Sequence, residues 1–442
     1  MIAVIGLGKS GVAATRLLAR DGERVYASDG SDHPYAGEAA AALRGLPGVE
    51  VEIGRHDLAK IRKAAGVVVS PGVPPDAAPL VAARDAGIPI VSELDLGFRA
   101  LAGRARCIAI TGTNGKTTTT ALVAHLLSAA GLKATAAGNI GRPLADLAVS
   151  GDGERYQWLS VEVSSFQLHD SPHFAPEIGV LTNLAPDHLD RYPSAEAYYA
   201  DKRLLFRNAT EDAVWVVNAD DPLVLDMARG VAGRCALFSL LKVSDAWYDA
   251  PQRTLRLGGE ALLPRGELHL LGDHNVANAL AAALAVHETG VPPALIAEGL
   301  RSFRPLPHRL EPVGEFKGVL WINDSKATNI AATAVALAAM ERPYVLLLGG
   351  RHKGEPYTAL AELLKKCRLV IAYGEAGPIV EQDLKGRVKL ERGTTFEDVV
   401  ARARRAAKQG DAVLLSPACS SYDMFQNYEE RGATFARLAT EG

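Results

Sequence analysis

Little in this chain ties it to an oxidising compartment, a bilayer or a polyanion. Its 442 residues include only four cysteines, Cys107, Cys235, Cys367 and Cys419, and no two form a CxxC pair. That spacing excludes a disulfide framework and a cysteine-built zinc site, and it fits a reducing compartment. No apolar run approaches the ~20 residues that cross a bilayer as a helix. The formal charge is only −3, which argues against a nucleic-acid or anionic-membrane surface held by bulk charge. Aromatics are scarce at 6%, so packing must rest on the abundant Ala, Val and Leu. Repeats and low-complexity segments are missing, and Met1-Ile2-Ala3-Val4-Ile5 reads directly as a strand rather than as a leader. The expectation is a cytoplasmic, monomeric protein with no membrane span and no nucleic-acid partner.

What is present is chemistry for phosphate. Ile108-Ala109-Ile110 reads as a strand running into Thr111-Gly112-Thr113-Asn114-Gly115-Lys116-Thr117-Thr118, with a helix from Thr119 onward. Gly112 and Gly115 let backbone N–H groups converge on an anion, Lys116 supplies a point charge, Thr117 a hydroxyl for magnesium, and the helix its N-terminal dipole. The loop is shorter than the usual phosphate loop, with only Thr113 and Asn114 between Gly112 and Gly115-Lys116-Thr117. An ordinary glycine turn would leave Lys116 and the threonines without a reason.

Taken in order, the chain alternates strands and helices. Ile2–Ile5 meets Gly6-Leu7-Gly8-Lys9-Ser10-Gly11, then a helix over 12–20 and a strand over 24–27 ending at Asp29. That fingerprint admits a nicotinamide or flavin, another nucleotide, or mere tight strand–helix packing. Val67 to Ser70 reads as a buried strand before a turn, and Ile88 to Glu93 as the last strand of the unit. After the phosphate loop come Gly138-Asn139-Ile140-Gly141, strands at 158–163, 178–181 and 214–217, and a helix over 195–208. Residues 254–271 carry a hairpin pattern, and helices at 275–288 and 294–303 follow. Arg304-Pro305-Leu306-Pro307 is the linker candidate. Beyond it strands fall at 319–323, 344–348, 369–373, 388–391 and 412–416, with helices between. The fold class is α/β, in three domains with mostly parallel sheets, over residues 1–94, 95–304 and 305–442.

Several strand ends carry polar groups. Glu162 suits a metal ligand and a helix cap equally. His188, in Asp187-His188-Leu189-Asp190-Arg191, lies in a loop of a kind more often solvated than catalytic. Spacing alone leaves Lys202 a surface helix lysine. Asn323-Asp324-Ser325-Lys326-Ala327-Thr328-Asn329 packs six polar residues around one alanine, and an N-cap explains only one of them. Cys419, in Ser416-Pro417-Ala418-Cys419-Ser420-Ser421, reads as packing rather than as a nucleophile.

Together these motifs, with Gly272-Asp273-His274-Asn275, Pro307-His308-Arg309, Leu348-Gly349-Gly350 and Glu430-Arg431-Gly432, follow the order of the Mur ligases, and the chain resembles that family. The C-terminal motifs look like the branch that adds D-glutamate to UDP-N-acetylmuramoyl-L-alanine. The resemblance implies a Rossmann-like UDP-binding domain, a central P-loop ATPase domain and a mobile, Rossmann-like C-terminal domain. It recasts Gly6, Leu7, Gly8, Lys9, Ser10 and Gly11 as a UDP site, with Asp29, Ser70 and Asn139 also on the UDP substrate, and with no NAD. Where the family often has acid-Thr-Arg against uridine, this chain has Asp29-Gly30-Ser31. ATP is implied at Gly112, Thr113, Asn114, Gly115, Lys116, Thr117 and Thr118, and at Asn275, Arg309, Asp324 and Lys326. Two magnesium ions are implied at Thr117, Glu162, His188 and Lys202, the last as a carbamate, with Lys116, Glu162, His188 and Lys202 as the catalytic set. D-Glutamate is implied at Lys326, Thr328, Lys353, Ser421 and Tyr428. A nicotinamide-dependent oxidoreductase and a P-loop ATPase module are the rival readings; the first leaves the second glycine loop idle, the second leaves the C-terminal third unexplained.

Overall fold

The structure is a computed structural model that describes residues 1–189 and 191–441; Asp190 of the Asp187–Tyr192 segment lies outside the described residues. By its contacts the chain forms two units, Met1–Leu268 with Ala277–Ser302, and His269–Val276 with Phe303–Gly442.

The first unit holds two sheets. One has five parallel strands in the order Val49–Ile53, Val25–Asp29, Ile2–Ile5, Gly66–Val69, Ile90–Ser92. Its central strands are apolar on both sides, because helices cover both faces, while the edge strand Val49–Ile53 alternates apolar residues with Glu50 and Glu52. The other has nine strands. Seven run parallel, from Ala134–Gly138 through Trp158–Glu162, Arg106–Thr111, Ile178–Leu181, Val214–Asn218 and Arg234–Ser239 to Ala246–Asp249. The antiparallel hairpin Thr254–Leu257/Glu260–Pro264 closes the edge, where the hairpin pattern falls. The second unit holds one six-stranded sheet ordered Glu311–Phe316, Val319–Asn323, Ala412–Leu415, Tyr344–Gly349, Cys367–Tyr373, Leu390–Arg392, antiparallel only at the first strand. Three α/β sheets, mostly parallel, match the expected class. Among the described residues no helix is long and apolar enough to cross a membrane.

Element ends depart from expectation where a glycine starts a helix. The helices begin at Lys9 and Lys116, not at Val12 and Thr119, since Gly8 and Gly115 occupy the N-cap positions and the helices start immediately after them. The helix expected over 195–208 stops at Arg203, and a 3₁₀ turn, Leu204–Phe206, follows. The strand expected over 388–391 is Leu390–Arg392. Helix Glu93–Leu101 runs through position 94/95, and no regular element occupies 303–310, around the two linker prolines.

The core of the nine-stranded sheet is organised around Trp215. It is buried, donates its indole N–H to Ala232 O at 2.7 Å, and meets the Phe206 ring edge-on at 4.8 Å. Its register partner is Gly179, and a Cβ there would reach the indole at 2.5 Å, so the missing side chain makes the room. Trp215→Ala should therefore cost ~3–5 kcal/mol, because the cavity cannot collapse against a sheet. Urea unfolding followed by hydrogen exchange of the central strands measures it; a loss below ~1 kcal/mol would mean this pair does not organise the sheet.

Candidate active site

Strand Arg106–Thr111 delivers the backbone into the loop at Gly112, and the helix Lys116–Ala129 leaves it. Gly112 has φ 138°, and a Cβ there would sit 2.0 Å from Thr182 Oγ1, so only glycine fits. The loop is held from the next strand end. Thr182 Oγ1 donates to Asn114 O at 2.7 Å, Asn114 N donates to Asn183 Oδ1 at 2.9 Å, and Thr113 N donates to Asn183 O at 2.8 Å. Sequence reading missed Thr182 and Asn183 as loop supports; their only signal was a Thr-Asn pair at a parallel strand end.

Two lysines meet at this loop. Lys116 Nζ donates to Gly112 O at 2.9 Å and to Thr113 O at 2.7 Å, and Lys202 Nζ donates to the same Gly112 O at 2.8 Å. Lys202 is almost fully buried, unlike the surface lysine that spacing suggests. Burial, and then the Lys116 charge, push its pKa well below the usual lysine range, against the weaker opposing pull of Asp187, Glu162 and Asp201. Its ammonium nitrogen lies 4.6 Å from the centre of the Tyr198 ring, and the His188 ring is 6.0 Å from that same ring. Tyr198, one helical turn before Lys202, thus neighbours both, and its hydroxyl reaches Thr113 Oγ1 at 3.4 Å. His188 takes φ 54°, which turns its loop back toward Phe166, 5.2 Å ring to ring.

Glu162 ends its strand buried. Oε1 accepts from Asn139 Nδ2 at 2.7 Å, while Oε2, equally buried, has no hydrogen-bond partner among the described residues. An orphaned carboxylate oxygen beside a phosphate loop suits a magnesium ion, because leaving it bare costs ~1–3 kcal/mol or more. Thr117 stands in the first turn of the loop helix. Among the described residues no three His, Cys, Asp or Glu side chains converge to form a cage, so an ion here would complete its shell with the hydroxyl, Lys202, the nucleotide or water.

A second cleft in this unit, of about 510 Å³, is lined by Gly6, Gly8, Lys9, Ser10, Asp29 and Ser70 among others. Leu7 and Gly11 support it from behind. Leu7 N donates to Asp29 Oδ2 at 2.7 Å, and a Cβ on Gly11 would strike Gly6 O at 1.8 Å. Ser70 Oγ donates to Gly6 O at 2.8 Å. Asn139 stands apart from this cleft, beside Glu162.

In the second unit Asn323 to Asn329 is knitted to two other segments. Asn323 Nδ2 donates to Gly432 O, Ser325 Oγ to Tyr428 O at 2.8 Å, and Lys326 Nζ to Tyr428 Oη at 2.9 Å. Asn329 is the N-cap of the helix Ile330–Ala338. Arg431, fully buried, donates to Ser325 Oγ and O and to Cys419 O, which ties the Ser325 loop to the loop carrying Ser421. Its importance was visible only as part of a motif. Thr328 is half-buried in this loop, Ser421 is buried, and Lys353 is exposed after Gly349-Gly350. Cys419 is packing, as expected: it is buried, lies 2.8 Å from Tyr357 Oη, and burial pushes its thiol up to about 11. Asn275 Nδ2 donates to Leu271 O at 2.8 Å.

Asp324 is buried and accepts from Ser416 Oγ at 2.8 Å and Leu310 N at 3.2 Å; burial dominates and raises its pKa to about 7, with Arg309 opposing. The native state therefore keeps a proton that the unfolded chain releases near 3.8, so this group's stabilising contribution fades as pH rises from there to about 7. Asp324→Asn should flatten that decline. Hydrogen exchange of the strand Tyr344–Gly349, corrected for intrinsic rates, reads it; an unchanged slope would assign the pH dependence to other groups.

Comparison with known proteins agrees with this geometry. Residues 1–92 match the Mur ligase MurD-like N-terminal domain, 110–286 the Mur ligase middle domain, and 308–419 the Mur ligase glutamate ligase domain. A UDP-N-acetylmuramoylalanine–D-glutamate ligase of Gloeobacter violaceus is 41% identical, with 99% of this chain and 98% of that one covered. One of Anaeromyxobacter dehalogenans is 42% identical, covering 100% and 97%. Among solved structures, the UDP-N-acetylmuramate-alanine ligase MurC of Thermotoga maritima superposes with a TM-score of 0.62 at 21% identity, covering 100% and 99%, and a pseudomurein peptide ligase of Methanothermus fervidus with 0.60 at 20%, covering 99% of each; these two speak to the fold alone. With all three domain types matched in order and relatives above 40% identity over nearly the whole length, the chain belongs to the Mur ligase family.

Proposed function

We propose that this protein forms an amide bond between the L-alanyl carboxylate of UDP-N-acetylmuramoyl-L-alanine and the amine of D-glutamate, with ATP cleaved to ADP and phosphate, in cytoplasmic peptidoglycan precursor synthesis. The observation that carries this is the pair Lys116 and Lys202 on one loop carbonyl, beside the half-satisfied carboxylate of Glu162. The names and full-length coverage of the relatives supply the substrates. In this reading residues 1–94 hold UDP, 95–304 carry the ATP chemistry and 305–442 hold the amino acid.

A carboxylate and an amine do not condense unaided, so the alanyl carboxylate oxygen first attacks the γ-phosphorus and ADP departs. Lys116, the loop N–H groups and the helix N-terminus hold the transferring phosphoryl and offset its charge. The amine of D-glutamate then attacks the acyl carbon, loses a proton, and phosphate leaves. Lys326, Thr328, Lys353, Ser421 and Tyr428 are the proposed D-glutamate contacts, and Asn275, Arg309 and Asp324 with Lys326 the further ATP contacts. Asn139 orients Glu162 while its remaining polar atoms face the substrate.

Thr117, Glu162, His188 and Lys202 would hold two magnesium ions. Magnesium at this place supplies charge neutralisation for the phosphoryl oxygens. For Lys202 the buried site favours the neutral amine, which adds to carbon dioxide and releases one proton. The product is a carbamate, a carboxylate-like ligand where a cation would repel the metal.

The test is product analysis with ATP, the UDP-muramoyl precursors and a panel of amino acids. ADP and phosphate should appear only with UDP-N-acetylmuramoyl-L-alanine and D-glutamate together; AMP and pyrophosphate would sink the acyl-phosphate route. Lys116→Ala should lower kcat by a factor on the order of a thousand or more. Lys202→Ala should be nearly inactive yet partly rescued by formate or acetate, since a free carboxylate can enter the vacated place. No rescue alongside full metal binding would count against the carbamate.

A further inference from the structure

The cleft read above as the UDP site has a phosphate end and a nucleoside end. The helix Lys9–Arg20 points its N-terminus at the Gly6–Ser10 end, which suits the pyrophosphate. The strand Val25–Asp29 ends on the other side, and an acid in that position faces the ribose in folds of this kind. Both oxygens of Asp29 already accept a backbone N–H, from Leu7 at 2.7 Å and Ser31 at 2.9 Å. Discrimination of the base therefore falls to what lies beyond Asp29. There the cleft is walled by Gly30, Ser31 and a half-buried histidine from another strand–helix connection, His56.

His56 is built into that wall. Its Nδ1 lies 2.9 Å from Ser28 Oγ, and Ser28 is itself fully buried in the strand. Its Nε2 stands 3.0 Å from the point where a Cβ on residue 30 would be, so Gly30 leaves the space that the imidazole uses. A threonine at 30 would displace the ring. Burial, opposed by Asp29 and Glu52, lowers the His56 pKa, so the ring is neutral at neutral pH. Gly30 and the histidine that fills the space beside it are one arrangement.

Resting on the reading of this cleft as the UDP site, we propose that His56 reads the uracil base. The Ser28 hydroxyl donates to Nδ1, the proton resides on Nε2, and Nε2–H donates to the base carbonyl that cytosine replaces with an amine. His56 is thus a specificity-determining residue, and Gly30 is the neighbour that makes room for it.

Calorimetric titration of the full-length protein with UDP and with CDP tests this. The wild type should bind UDP more tightly. His56→Ala should weaken UDP about three- to tenfold, the worth of one neutral hydrogen bond, and leave CDP nearly unchanged, so that the preference collapses. His56→Gln, whose amide N–H can reach the same place, should recover part of it. Gly30→Thr should weaken UDP in the wild type but add little in His56→Ala, since the ring it displaces is gone. KM for ATP and D-glutamate should stay put in all of them, which a misfolded variant would not allow. A His56→Ala protein that keeps the wild-type UDP-to-CDP ratio overturns the proposal and leaves the UDP cleft standing. A wild type that fails to bind UDP overturns the cleft reading and the proposal with it.

Discussion

One carbonyl oxygen, that of Gly112, accepts hydrogen bonds from two lysines, and much of the central domain follows from that. Two ammonium groups so close, one of them almost fully buried, cannot both stay charged at little cost. Of the two, Lys202 is the more deeply buried, and it is the one whose pKa falls. The glycine is there because a side chain would collide with Thr182, and Thr182 and Asn183 are there because the loop needs partners from the neighbouring strand. The phosphate loop is therefore less a motif of its own than the meeting point of two strand ends and one helix.

The same economy appears in the second unit, around a different cation. Arg431 is buried and spends its guanidinium on the Ser325 hydroxyl and carbonyl and on Cys419 O rather than on a carboxylate. Such an arrangement tolerates burial because each guanidinium nitrogen finds an oxygen, and it locks two loops into one register. A positive charge held this way raises the potential on the loops it joins, which favours anionic ligands there.

The parts of this architecture that were legible in the sequence are those that local chemistry dictates. The phosphate loop, the first glycine loop and the most apolar parallel strands announce themselves by composition and spacing, whereas Val49–Ile53, Ala134–Gly138, Arg234–Ser239 and Ala246–Asp249 went unread. Helix starts at Lys9 and Lys116 were read about three residues late, because a glycine N-cap has no side-chain signal. Strand Glu311–Phe316 went unread because Pro312 and Gly314 disguise it, and the register does shift between them. Burial of Lys202 could not be read at all, since its helix is mostly polar and the depth of one position comes from strands distant in sequence. Thr182, Asn183 and Tyr198 share that property: each acts across the fold, on a loop about seventy or more residues earlier.

Both large sheets end in an antiparallel strand that carries a proline, Pro264 in the nine-stranded sheet and Pro312 in the six-stranded one. Proline has no N–H to offer, and in both cases the strand is also bulged. A chain of this length must assemble wide parallel sheets slowly, from contacts far apart in sequence, and open sheet edges are then exposed to other copies. Depriving the antiparallel end strand of a donor makes that one border of each sheet a poor template for a further strand. These two proline-bearing strands thus guard one border of each sheet against edge-to-edge aggregation, a task served before any substrate is bound.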